Sequence, residues 1–140
     1  MAKRTKTVTK RQKIKRKLKK ELSAVKMLKY KTTYKDIKKY FKLINEHVFD
    51  NKLSPFNDIT LVHKPRNYIG QVVVSDKIGK GTRNYILEML KSYSNKQEFV
   101  DTLAHEMIHL YQMANLGDTG NHNDIFKSFR PKLNTIGLDI

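Results

Sequence analysis

From Ser94 to Gly117 apolar residues recur with the period of an α-helix, and inside that stretch stands the run His105-Glu106-Met107-Ile108-His109. No other segment restricts the fold so tightly. Phe99, Val100, Leu103, Ala104, Met107, Ile108 and Tyr111 form a broad apolar face that must be covered by the rest of the chain. Ser94-x-x-Gln97 reads as a capping box at its start and Gly117 as a left-handed stop, which predicts a helix over about 95–115. Two His four residues apart leave one face a turn apart, so both imidazoles can reach a single ion. Glu106, next to the first His, is placed to act on a water without being a ligand itself.

The sequence has no cysteine, so thiolate metal sites, thiol catalysis and disulfides are all excluded. A metal must then use His and carboxylates, and a catalytic Zn2+ takes three protein ligands. Of the remaining His, His122 follows a loop containing Gly117 and Gly120 that is slack enough to fold back. It is the expected third ligand, with Asp118 and Asp124 as carboxylate alternatives. His47, at the edge of a helical stripe, and His63, at the end of a strand, read as packed or solvated residues.

Elsewhere, Thr33-x-x-Asp36 reads as a helix N-cap, followed by a stripe of Ile37, Tyr40, Phe41, Ile44 and Val48. The turn Asp50-Asn51-Lys52 should end that helix. Short strands are predicted over 59–63 and 68–74, separated by a Pro-Arg-Asn turn. Residues 77–82 read as a Gly-containing loop, and 84–90 fits either a strand or a helical turn. A last helix over 123–136 should bury Phe126, Phe129, Leu133 and Ile136, with Pro131 kinking or dividing it.

Charge is concentrated at one end. Residues 1–31 hold fourteen Lys/Arg against one acid, Glu21, whereas the other 109 residues hold fifteen against twelve. The chain therefore divides into a basic tail, 1–31, helical or disordered, and a nearly neutral domain, 32–140. A block of like charge repels itself and pairs with polyanions. Within it Ile14, Leu18, Leu22 and Val25 draw a narrow apolar stripe on a helix over 10–29. That stripe rests on the domain, or the helix folds onto nucleic acid or an anionic lipid surface. No apolar stretch suits a signal peptide or a membrane span, so the expected location is the cytoplasm, in association with DNA.

These residues carry a resemblance. The segment Phe49-Asp50-Asn51-Lys52-Leu53, the motif Leu103-Ala104-His105-Glu106-Met107-Ile108-His109, the stretch Gly120-Asn121-His122-Asn123-Asp124-Ile125-Phe126, and Leu133-Asn134 with Gly137 together resemble the SprT-like metallopeptidase domain. That domain is also the catalytic module of the Spartan DNA–protein crosslink proteases. The resemblance covers about 40–137. The family's third His usually lies in a Gly-His-Gly-x-x-Phe context. Here both flanking glycines are Asn, which tolerates the left-handed conformation a glycine supplies. Members often carry a C-terminal zinc ribbon, and this cysteine-free sequence holds none, so the basic tail is expected to take over DNA recognition.

The resemblance implies an α+β fold, a minimal zincin-like metallopeptidase domain whose short sheet lies between the first domain helix and the helix of the H-E-x-x-H motif. It also implies that residues 84–90 form the strand alongside the cleft, where a substrate backbone would pair. The expected function is zinc-dependent hydrolysis of peptide bonds in DNA-bound or DNA-crosslinked proteins, with DNA held through the basic tail. His105, His109 and His122 would hold Zn2+, and Glu106 would be the catalytic base. Tyr68, Tyr85, Tyr93 and Tyr111 are the candidates to donate to an oxyanion, with ordinary packing as the plain alternative. Asp101, one turn before His105, is read as orienting an imidazole or as solvated. A nucleic-acid-binding accessory protein with a structural or vestigial zinc site is the competing class.

Overall fold

The computed structural model describes residues 9–24, 28–63, 67–76, 83–118 and 120–140. Val25, the Pro-Arg part of the expected turn and the 77–82 loop lie outside them. The basic segment forms helix α1, Lys10–Ala24, and a two-residue strand β1, Tyr30–Lys31, leads into helix α2, Tyr34–Val48. The Thr33 side chain accepts a hydrogen bond from the Asp36 backbone N–H at 3.1 Å, the cap the sequence predicts. Asp50 and Asn51 then adopt φ of 51° and 61°, left-handed values that Asp and Asn tolerate better than other side chains, and the chain turns away.

Strands β2, Asp58–Val62, and β3, Gly70–Asp76, flank β4, Arg83–Leu90; β5 is Ser92–Tyr93. β4 pairs in parallel with β2 (Asp58 opposite Ile86) and antiparallel with β3 (Gly70 opposite Met89), giving the order β2-β4-β3. Residues 84–90 are thus the centre of the sheet, with both edges taken. The strand alongside the cleft is β3, which corrects the expectation drawn from the resemblance. Leu87 and Met89 turn inward and are fully buried, and helix α3, Lys96–Leu110, packs on β3, β4 and β5. Helix α2 meets α3 directly, so the expected layering with the sheet between the two helices gives way to helix-on-helix contact beside a sheet of mixed parallel and antiparallel pairing.

Helix α3 starts one residue later than the sequence indicates. Asn95, not Ser94, is the N-cap, its Oδ1 accepting from Glu98 N–H at 2.8 Å, while the Glu98 carboxylate accepts from Ser94 N–H. A carboxylate is a stronger acceptor than the Gln97 amide, and Gln97 instead donates to Asp101 and to the Gly137 carbonyl. The helix continues into a π-turn, Tyr111–Asn115, and stops at Gly117 with φ 66°. The last helical region splits into α4, Asp124–Ser128, and α5, Arg130–Asn134, with Pro131 in the first turn of the second, where its missing N–H is harmless.

The stripe of α1 rests on the domain: Ile14, Leu18 and Leu22 are buried in the same core as α2 and α3. Glu21, the one acid of the segment, accepts hydrogen bonds from Lys39 Nζ and from Tyr40 Oη. Nearby charges and donors outweigh its burial and hold its carboxyl below the usual value. At the other end Lys10 pairs with Glu46, so α1 runs antiparallel to α2. Leu18 is fully buried, and Leu18→Ala is expected to cost about 2–5 kcal/mol in chemical denaturation. A loosely tethered tail would show no loss.

Candidate metal centre

His105 and His109 leave α3 on one face, and His122 comes from the loop ahead of α4. The three Nε2 atoms stand 3.1 Å from one another in every pairing. Among the described residues these three form the group that can hold a metal ion. The Phe126 ring packs against all three imidazoles, with centroids 4.6–5.0 Å away, and fixes the wall they lean on. Burial and the neighbouring imidazoles push His105 down to about 4, and burial lowers His109 as well. Three imidazole nitrogens 3.1 Å from one another and converging on one point form a ready-made donor set for an ion. They fit a cation with nitrogen affinity, and an all-imidazole set without a carboxylate suits a transition-metal ion rather than Ca2+ or Mg2+.

Gln112 was not singled out from the sequence, yet it organises the group. It is fully buried in the π-turn, a distortion frequent at functional sites. Its Nε2 donates to the Asn121 carbonyl at 2.8 Å and to Asn123 Oδ1 at 3.0 Å. Its Oε1 must therefore face His109 Nδ1, 3.1 Å away, as acceptor. That bond places the proton of His109 on Nδ1 and leaves the lone pair on Nε2, toward the other two rings. One side chain thus fixes a tautomer and staples the His122 loop to α3. The available signal was a lone amide three residues after His109 on an otherwise apolar face. Gln112→Ala is expected to weaken metal affinity about 10–100-fold, as loss of an outer-shell partner does, read by titration against a chelator.

The Asn residues beside His122 act differently from the glycine substitutes anticipated. Neither takes a left-handed conformation; that belongs to Gly120, φ 78°. Asn123 is the N-cap of α4, accepting from Phe126 N–H. A side-chain cap and a bond to Gln112 are uses a glycine cannot serve.

Glu106 lies beside the triad, only 4% exposed, and its burial raises the carboxyl to about 8. Among the described residues it has no hydrogen-bond partner, and it lines the same cleft as the three His. That cleft, about 780 Å³, runs between α3 and the open edge of β3, where Gly70, Gln71 and Val72 form one wall. Gly70 is what allows the approach, because a Cβ there would come within 2.7 Å of Thr102 Cγ2 and 3.5 Å of Glu106 Cγ.

The other candidates fall elsewhere. Asp118 accepts from Asn123, and Asp124 is exposed in the first turn of α4. His47 is buried beside Thr135, and exposed His63 lies by Lys91. Asp101 orients no imidazole; it accepts from Gln97 and from Asp139 N–H, and burial raises it to about 6. It ties the C-terminal stretch to α3. Of the four tyrosines, Tyr93 bonds the Ile69 carbonyl, Tyr111 packs between Phe49 and Phe129, and Tyr85 packs on the core. Tyr68 alone lines the cleft, and its hydroxyl donates to Glu88.

A family model described as SprT-like family matches residues 37–139, which takes in α2 from Ile37 onward, the three-stranded sheet, all three His and Glu106. No curated protein and no solved structure matches the chain.

Proposed function

The chain belongs to the SprT-like family, and from that premise we propose that it is a zinc-dependent metallopeptidase that hydrolyses peptide bonds in DNA-bound or DNA-crosslinked proteins. The observation that carries the reading is Glu106. A carboxylate this deeply desolvated is a cost to the fold, and a purely structural metal site has no use for it. Set beside three converging imidazoles and open to a cleft, it has the placement of a general base.

In this reading His105, His109 and His122 hold Zn2+, which supplies Lewis acidity to the scissile carbonyl and the attacking water. The outer edge of β3, unpaired among the described residues, offers backbone groups to an extended substrate, which binds as an added strand. Gly70 lets β3 itself pass close to Thr102 and Glu106, which brings that edge beside the carboxyl. A carboxylate oxygen of Glu106 takes the proton of the water as it attacks the carbonyl carbon. The same carboxyl then delivers it to the departing nitrogen as the C–N bond breaks. The cationic N-terminal segment supports the DNA-directed part of the reading, because fourteen Lys/Arg in 31 residues suit a polyanion.

The test is zinc stoichiometry together with proteolysis of a DNA-binding protein, with and without single- and double-stranded DNA. One zinc per chain and DNA-stimulated cleavage are expected. A zinc-loaded chain that cleaves nothing would be an accessory nucleic-acid-binding protein with a structural site.

A further inference from the structure

Helix α1 has one apolar stripe, and the domain takes all of its described part: Ile14, Leu18 and Leu22 are buried. What remains outward is cationic. All seven Lys/Arg between residues 11 and 20 are exposed and, among the described residues, none has an acidic partner. The clamps at both ends, Lys10 with Glu46 and Glu21 with Lys39 and Tyr40, fix α1 along α2. On α2 itself Lys35, Lys38 and Lys42 fall at i, i+3 and i+7, so they share one face, beside the one α1 covers, and all three are exposed. The cleft is the opposite in charge: its described lining holds Glu98, Asp101, Glu106 and Asp139 and no Lys or Arg.

We propose that docked α1 and the Lys35-Lys38-Lys42 row of α2 form one rigid surface for a nucleic-acid phosphate backbone, separate from the cleft. The proposal rests on the DNA-directed part of the reading above and goes beyond it in two respects. The surface extends onto the core helix α2 rather than stopping at the basic tail, and the nucleic acid is a tether that never enters the cleft. A 15-residue helix spans about 22 Å, and duplex DNA presents a phosphate about every 1.7 Å of its axis. A row of lysines without planar base-reading side chains binds by charge and is indifferent to sequence. A membrane surface fits less well, since interfacial helices bury an apolar face in lipid, and the described apolar face of α1 is already spent on the domain.

The test uses the full chain and three ligands: labelled duplex DNA, single-stranded RNA, and phosphatidylserine vesicles, each titrated against salt. The variants are Lys35→Gln/Lys38→Gln/Lys42→Gln on α2 and Lys13→Gln/Arg16→Gln/Lys17→Gln/Lys20→Gln on α1. Expected is a log–log salt slope on duplex DNA that flattens by about 2.7 in the first variant and about 3.6 in the second. Cleavage of an unstructured peptide without nucleic acid should equal wild type in both. The RNA arm tells whether the backbone is deoxyribose or ribose. An α2 variant with the wild-type slope overturns the proposal, as does tighter binding to vesicles than to either nucleic acid at matched salt. Peptide cleavage is read separately, so a chain that binds DNA as proposed but cleaves nothing would sink the peptidase reading alone.

Discussion

Glu106→Gln is expected to keep the metal and to lower peptide hydrolysis by about 10²–10⁴-fold, the range a positioned general base contributes. Gln has the shape of Glu but cannot accept the proton of the attacking water. The fold should tolerate it well, because the carboxyl is buried without a hydrogen-bond partner among the described residues, and its burial raises it to about 8. An amide of the same shape fills the same space and breaks no hydrogen bond among the described residues, so thermal stability should hold. Metal content should stay near one per chain, since among the described residues the group that can hold an ion consists of His105, His109 and His122. The paired measurement is zinc by mass spectrometry and cleavage rate on the same preparation. Loss of zinc in this variant would make Glu106 a support of the site and remove it from the chemistry.

The parts of this fold legible from sequence are those in which a single segment declares its own environment. Thr33 and Asp36 cap α2, Gly117 stops α3 with a positive φ, and Pro131 opens α5, each for a local steric or hydrogen-bonding reason. The pair His105/His109 is equally local, because helical geometry alone brings residues four apart together. Strand β4 resisted reading because Tyr85-Ile86-Leu87-Glu88-Met89-Leu90 suits either period. Its identity is set by pairing with β2 and β3 on either side, which the segment by itself does not declare. Helix α1 was obscured by its charge: eight bases surround an apolar stripe of one residue per turn, and burial of that stripe depends on α2. Gln112 was hardest. Its role needs a π-turn to aim it, a loop nine residues on to receive it, and an imidazole three residues before it to orient. The chain shows only the last of these.

His122→Ala should cause the sharpest loss of metal. Its effect also separates the proposed ligand set from its rivals more cleanly than removal of either His on α3. His105 and His109 are half-buried on a helix whose neighbouring residues form the core, so their loss perturbs packing as well as chemistry. His122 is exposed and sits on a loop anchored by its neighbours, through Asn121 and Asn123 to Gln112, rather than by its own ring. Truncating it removes one of three converging nitrogens and a ring contact with Phe126, while the loop stays anchored through Gln112. Affinity for zinc should fall by more than the about 10–100-fold typical of losing an outer-shell partner. His47→Ala and His63→Ala should leave zinc near one per chain, because the first ring faces Thr135 and the second faces Lys91. Since a metal that binds the folded state raises stability in proportion to its saturation, a second readout follows. The melting temperature of the parent should drop when a chelator is added, and that drop should be nearly absent in His122→Ala. Near-normal zinc affinity in the variant would remove His122 from the site. Asp118, five residues before Asn123 and bonded to it, and Asp124 would then be the carboxylates to substitute next.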